Sequence, residues 1–172
     1  MKKLFVFFVM LAVLAGMSYA EDQPTPTAAL DIMFTDSLAF AGLDLELFLG
    51  PLGLGPSLTF LPFTVSGASV IFYEPGAFVH FYFGSPRSSL YLFVSSTYFT
   101  AFAYSNGQSA NLEGGIFNVN GGLGFNAFLD KFRIGIELGY RYAALYSTAT
   151  GTSYEMPFQI PIHFALRGGY GF

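Results

Sequence analysis

The carboxy-terminal segment constrains this chain most. Pro157 to Phe172 reads PFQIPIHFALRGGYGF. Phe158, Ile160, Ile162, Phe164, Leu166, Gly168, Tyr170 and Phe172 share one parity, and Pro157, Gln159, Pro161, His163, Ala165, Arg167, Gly169 and Gly171 share the other. Successive side chains of a strand point to opposite faces, so the alternation predicts a strand with one apolar and one mixed face. The strand runs to the last residue and ends on an aromatic ring. A soluble fold rarely leaves so apolar a strand at its terminus, whereas a strand that closes a membrane barrel must turn such a face to lipid.

Two further segments repeat the pattern. In 116–129, Phe117, Val119, Gly121, Leu123, Phe125, Ala127 and Leu129 oppose Asn118, Asn120, Gly122, Gly124 and Asn126. Asp130-Lys131 then makes a tight turn. In 132–146, Phe132, Ile134, Ile136, Leu138, Tyr140, Tyr142, Ala144 and Tyr146 oppose Arg133, Gly135, Glu137, Gly139 and Arg141. These strands exceed the usual ~5–6 residues. They can hold the ~9–11 residues of a tilted membrane strand with extensions beyond the bilayer.

A terminal alternating strand ending in Tyr170-x-Phe172 resembles the recognition signal of bacterial outer-membrane β-barrels, and the chain resembles the small eight-stranded members of that class. The resemblance implies an assembly signal carried by Phe164, Leu166, Tyr170 and Phe172. It also implies partners: outer-membrane lipid, the barrel assembly machinery and periplasmic chaperones.

The amino terminus fits export. Lys2 and Lys3 precede an apolar run, Leu4 to Ala15, and Ser18-Tyr19-Ala20 forms a small-x-small site before Glu21. This layout predicts a signal peptide over 1–20, cleaved after Ala20; the run is short for a membrane helix, which needs ~20 residues. Cleavage removes two of the seven cationic side chains and none of the eleven carboxylates. The resulting acidic balance argues against nucleic-acid binding. Cysteine is absent, so no disulfide holds the exported chain.

Hydrophobic residues make up 53% of the chain, with 22 Phe and 11 Tyr, yet no run after the signal is long enough for a membrane helix. The apolar excess must lie on strands, and only a closed barrel keeps every strand backbone group paired in lipid. The expected fold is all-β: an antiparallel up-and-down transmembrane barrel of eight strands over 29–172, after a periplasmic lead-in over 21–28.

Turn and loop signals give the order. The strands are expected at 30–35, 43–49, 57–65, 68–83, 88–104, 116–129, 132–146 and 157–172, with 68–83 either one strand bent at Pro75-Gly76 or two short ones. Both faces of 88–104 are apolar, so its parity stays open. Gly50–Pro56, Gly84–Arg87 and Asp130-Lys131 are expected as turns at the terminal end. Ser105–Gly114 and Ser147–Glu155 are expected as longer polar loops at the other end, the asymmetry of outer-membrane barrels.

An eight-stranded barrel is filled by side chains. The expected interior network comprises Asp44, Glu46, Asn118, Asn120, Asn126, Arg133, Glu137, Arg141, His163 and Arg167. Hairpin geometry puts Gly124 near Glu137, Asn120 near Arg141, His163 near Arg141 and Arg167 near Glu137. The glycines at 122, 124, 135 and 139 read as room for long arginines or as sites of curvature. Outward Tyr140, Tyr142, Tyr146, Tyr170 and Phe172 are expected in interfacial aromatic girdles.

The leading functional reading is a monomeric barrel with a structural, anchoring or surface-interaction role. One alternative is a narrow pore or a conduit for apolar solutes, motivated by Pro62, Pro75, Pro157 and Pro161, which lack ladder donors. Another is a soluble lipocalin-like barrel with the apolar face inward. Catalysis is not expected: lipid A deacylases of this shape carry His-x-Ser, whereas His80 precedes Phe81-Tyr82 and His163 precedes Phe164-Ala165. Neither a metal site nor a cofactor is expected, since no residues show ligand spacing.

Overall fold

The computed structural model describes residues 25–36, 41–65, 68–105, 108–111, 114–147, 153–155 and 161–172. The expected signal peptide and residues 157–160 of the expected terminal strand lie outside the described residues, as do 21–24 of the lead-in. Ten strands follow in order: β1 (Ala28–Thr35), β2 (Ala41–Leu49), β3 (Leu52–Val65), β4 (Ala68–Tyr82), β5 (Ser88–Ser105), β6 (Gln108–Asn111), β7 (Gly114–Leu129), β8 (Phe132–Ser147), β9 (Ser153–Glu155) and β10 (Ile162–Gly171). Eight of them close an antiparallel barrel in the order β1-β2-β3-β4-β5-β7-β8-β10, with β10 returning to β1.

Closure is made by β1 and β10, paired from Ala29↔Gly171 to Thr35↔Ala165. The Phe172 carbonyl accepts from the amides of Thr27 and Ala28 at 3.0 and 3.1 Å, and the Phe172 amide donates to the Ala28 carbonyl at 3.0 Å. The terminal residue thus satisfies backbone groups that an open sheet would expose.

Three short connections lie at the terminal end: 50–51, 83–87 and 130–131. Gly50 has φ 63° and Asp130 φ 59°. A two-residue hairpin needs positive φ at its first position, which glycine adopts freely and aspartate tolerates.

The structure revises two boundaries and decides a third that the sequence leaves open. Gly50–Pro56 is not a seven-residue turn, because β3 already begins at Leu52. Ser105–Gly114 is not simply a loop: β6 folds back on β5, pairing Phe102↔Asn111 through Ser105↔Gln108. The stretch from Ala68 is one strand through Pro75, not two. Glycine and proline suggested a turn at the first site and polar composition a loop at the second, but a hairpin that extends past the bilayer needs no apolar face.

Outward positions are apolar on every wall strand. Leu30, Ile32, Leu43, Leu45, Leu47, Val79, Leu92, Val94, Leu123, Ile134, Ile136, Leu138 and Leu166 are all exposed. So continuous a greasy surface is incompatible with water and suits lipid. Aromatic rings flank it: Phe81, Phe83, Phe132, Tyr170 and Phe172 near the terminal end, and Phe60, Tyr104, Tyr140, Tyr142 and Tyr146 near the other. Among the described residues no helix is long and apolar enough to cross a membrane. The lipocalin-like arrangement is therefore overturned, because the apolar parity faces out and the charged parity faces in.

Candidate functional site

The interior is where sequence and chemistry converge. At the terminal end, Ala29, Phe48, Tyr82, Tyr91, Phe93 and Phe128 form a buried cluster. Phe48 meets Tyr82 and Phe128 at centroid distances of 6.0 and 6.2 Å. Arg133 lies above this floor, its guanidinium 5.6 Å from the Phe48 centroid and 5.7 Å from that of Phe128.

From Arg133 a continuous network climbs the barrel. Its Nη1 contacts Asp31 Oδ2 at 2.7 Å and Glu46 Oε2 at 2.5 Å, and its Nη2 donates to the Tyr82 hydroxyl at 3.0 Å. Tyr82 in turn donates to Glu46 Oε1 at 2.7 Å. His80 bridges two acids, with Nδ1 2.8 Å from Glu46 Oε1 and Nε2 3.2 Å from Glu137 Oε1. Arg167 joins Glu137 at 3.0 Å and Asp44 at 2.8 Å, with its guanidinium 4.8 Å from the Phe78 centroid. His163 Nε2 reaches Glu137 Oε2 at 3.4 Å. Arg141 donates to Asn120 Oδ1 at 3.1 Å and to Asp36 Oδ1 at 2.9 Å near the outer end.

Within this ladder Asp31, Asp44, Glu46, His80, Glu137, Arg133 and Arg167 are all buried. Charges in so dry an interior persist only when paired and hydrogen-bonded. Both guanidiniums and all four carboxylates have an oppositely charged partner within 3.0 Å, although Asp44 meets Arg167 without a well-aligned hydrogen bond.

The ten residues expected in the interior all point inward, but not all join the ladder. Asn118 donates to Glu74 Oε1 at 2.9 Å, and Asn120 to Ser95 Oγ at 3.1 Å. Asn126 sits at the terminal end, where it donates to the Pro86 carbonyl at 2.5 Å and ties the 83–87 turn to the wall. Asn120↔Arg141 and Gly124↔Glu137 are direct cross-strand partners. The β8–β10 register is shifted by two from expectation: His163 faces Gly139 and Arg167 faces Gly135. The side chains still reach, since Arg141 lies 3.3 Å from His163 Nδ1.

The expected role of the inward glycines needs correction. A Cβ at Gly124 would strike the Tyr91 ring, and one at Gly139 would come within 2.8 Å of the Phe93 ring tip. A Cβ at Gly135 would make only ordinary contact, at 3.5 Å, with the Arg167 side chain. Gly124 thus makes room for an aromatic ring rather than an arginine, whereas at Gly122 and Gly139 a Cβ would first strike the backbone of the neighbouring strand.

Sequence reasoning missed Asp31, Glu74, His80, Tyr82 and Tyr91. A signal was present for the first three. In β4, Glu74, His80 and Tyr82 share a parity, and in β1 Asp31 lies between Leu30 and Ile32; a charge in a membrane strand must face inward.

A scan against protein-family models and a search of curated proteins each return no match to the chain. Among solved structures it is similar to Neisserial surface protein A (NspA), at 15% identity over 84% of this chain and 94% of that one, with a TM-score of 0.47. It is similar to Ail, the attachment invasion locus protein of Yersinia pestis, at 21% identity over 84% and 93%, with a TM-score of 0.42. It is also similar to Acinetobacter baumannii CarO, at 13% identity over 88% and 100%, with a TM-score of 0.45. The closed eight-stranded wall, its apolar outer face and its charged interior make this chain a small β-barrel of the outer-membrane kind.

Proposed function

We propose that the chain is a sealed, monomeric outer-membrane barrel of bacteria that serves as an anchor and displays its outer hairpins for surface interaction. The observation that carries this reading is the filled lumen: the aromatic floor and the Arg133–Glu137–Arg167 ladder occupy the space a pore would need. Residues 1–20 would direct export. Phe164, Leu166, Tyr170 and Phe172 would be read by the assembly machinery after escort by periplasmic chaperones; all four lie on the outward parity of the closing strand.

Three of the four prolines behind the conduit reading sit where the neighbouring strands stay paired, and the fourth, Pro157, lies outside the described residues. The β4–β5 register is the same on both sides of Pro75, with Tyr73↔Thr100 before it and Gly76↔Thr97 after it. Pro62 pairs with Ile71, and the Pro161 carbonyl accepts from the Arg141 amide at 2.9 Å. At Pro75 the β4–β5 pairing skips residues 74 and 75 and resumes in the same register. A non-enzymatic role fits the histidines: His80 is fully buried between two carboxylates, and none of the hydrogen bonds of the described residues links His80 or His163 to a serine hydroxyl.

The absence of cysteine gives a clean test. Ser109→Cys in β6 is expected to react on intact cells with a polyethylene-glycol maleimide too large for porins. Lys131→Cys, at the terminal end, is expected to react only after the outer membrane is permeabilised. Labelling of Lys131→Cys on intact cells, with Ser109→Cys protected, would contradict the proposed orientation and surface role.

A further inference from the structure

The inward face changes character above the ladder. On β3, Thr59 is followed toward the outer end by Leu61 and Phe63 of the same parity. On β4, Glu74 is followed by Phe72 and Val70, on β5 Thr97 by Phe99, and on β8 Arg141 by Leu145. Phe72 stacks on Phe99 at a centroid distance of 5.6 Å. Phe63 and Leu145 remain 55% and 45% exposed although their parity faces the lumen, so the described residues line this outer mouth without filling it. None of the described inward positions above Glu74 and Arg141 carries a charge.

The wall around the mouth is uneven. β2 starts at Ala41, paired with Phe60, while β3 runs on to Val65. β10 starts at Ile162, paired with Tyr140, while β8 runs on to Ser147. Between them β1 ends at Thr35. Among the described residues, then, three adjacent strands stop near the outer aromatic rings of Phe60 and Tyr140 while the rest of the wall continues. Phe34 and Ile162, each 56% exposed, carry the lipid-facing surface up to this low rim. Asp36 at the rim is neutralised by Arg141 at 2.9 Å. The apolar outer surface and the apolar mouth meet across β10, β1 and β2.

We propose that the mouth takes up an acyl chain of an outer-leaflet lipid, which enters over this rim and lies against Phe63, Phe72 and Leu145. Exposed apolar concavities of this kind mark binding sites. A bound polypeptide would bring backbone N–H and C=O groups that need partners, and the faces of paired strands present only side chains, here apolar ones. An acyl chain has no such groups to satisfy. The inference rests on the outer-membrane reading, because lipid must stand at the rim. The ladder below stays closed, so the acyl chain is held and not conducted.

The protein has no tryptophan, so Phe63→Trp gives a single reporter in the mouth and Leu138→Trp one on the outward face. Each variant would be folded into phosphatidylcholine vesicles whose acyl chains carry bromine, a contact quencher. Phe63→Trp is expected to emit at short wavelength, to be quenched by the brominated chains to an extent comparable with Leu138→Trp, and to be shielded from acrylamide in the water. Adding Val70→Asp, at the cross-strand partner of Phe63, is expected to shift the Phe63→Trp emission to long wavelength and abolish its bromine quenching, and to leave Leu138→Trp unchanged. Should Val70→Asp fail to fold, Leu145→Asp on the facing wall is expected to give the same loss. If Leu138→Trp itself escapes the bromines, the membrane reading fails and the proposal with it. If Leu138→Trp is quenched and Phe63→Trp is not, the proposal alone is overturned: acrylamide quenching would then show a water-filled mouth, and shielding from both quenchers a mouth covered by protein. Bromine quenching of Phe63→Trp that persists beside Val70→Asp would overturn it as well.

Discussion

Arg133→Met is expected to destabilise the folded barrel by about 3–5 kcal/mol, the cost typical of breaking a buried ion pair by removing one partner. Arg133 is 1% exposed and serves Asp31, Glu46 and the Tyr82 hydroxyl at once. Methionine keeps much of the apolar stem over Phe48 and Phe128, so packing changes little while two carboxylates lose their counter-charge. Urea unfolding in lipid vesicles, followed by far-ultraviolet circular dichroism, gives the difference. Adding Asp31→Asn and Glu46→Gln to the same chain removes the stranded charges and should recover most of the loss. A cost below about 1 kcal/mol, the range of solvent-exposed pairs, would mean that water reaches these acids and that the lumen is not sealed there.

Leu138→Arg tests the opposite face. Leu138 is 61% exposed and lies mid-strand in β8, on the parity opposite Glu137. An arginine at the bilayer midplane of a membrane barrel costs about 2–4 kcal/mol, falling to about 0–1 kcal/mol near the interfaces. The substitution is therefore expected to cost several times more than Leu129→Arg, which lies beside the 130–131 turn. Both would be measured by the same unfolding experiment in vesicles. Near-equal, small effects at the two sites would mean that this face meets water, since surface substitutions in a soluble protein usually stay within about 0.5 kcal/mol.

How much of this was legible before the structure depended on where charges fall in the chain. In β8, Arg133, Glu137 and Arg141 sit on one parity among apolar neighbours, so strand, orientation and turn could all be read, and the partners of Glu137 and Arg141 across β7 are the ones the tight turn dictates. The β8–β10 register was off by two, because the long connection between them does not set register as a two-residue turn does. In β5 no residue is charged and both parities are apolar, since Tyr91 and Phe93 pack inside while Leu92 and Val94 meet lipid. No local rule separates the two, and Tyr91 stayed hidden along with the glycine that accommodates it.

Glu74 was hidden for another reason. It precedes Pro75-Gly76, a pair that suggests a break in the strand, yet the ladder to β3 pairs Leu58 with Pro75 and continues without interruption. A proline lacks only its donor, and one wall bond among many can be lost without ending a long strand. Reading the parity of Glu74 together with that of His80 would have placed both inside.

Ion flux through the reconstituted barrel tests the central claim most directly. In planar bilayers or loaded vesicles containing the folded form, verified by its faster gel mobility before heating, the sealed lumen predicts a conductance indistinguishable from protein-free lipid. Stepwise, protein-dependent current through the folded wild-type barrel would contradict it.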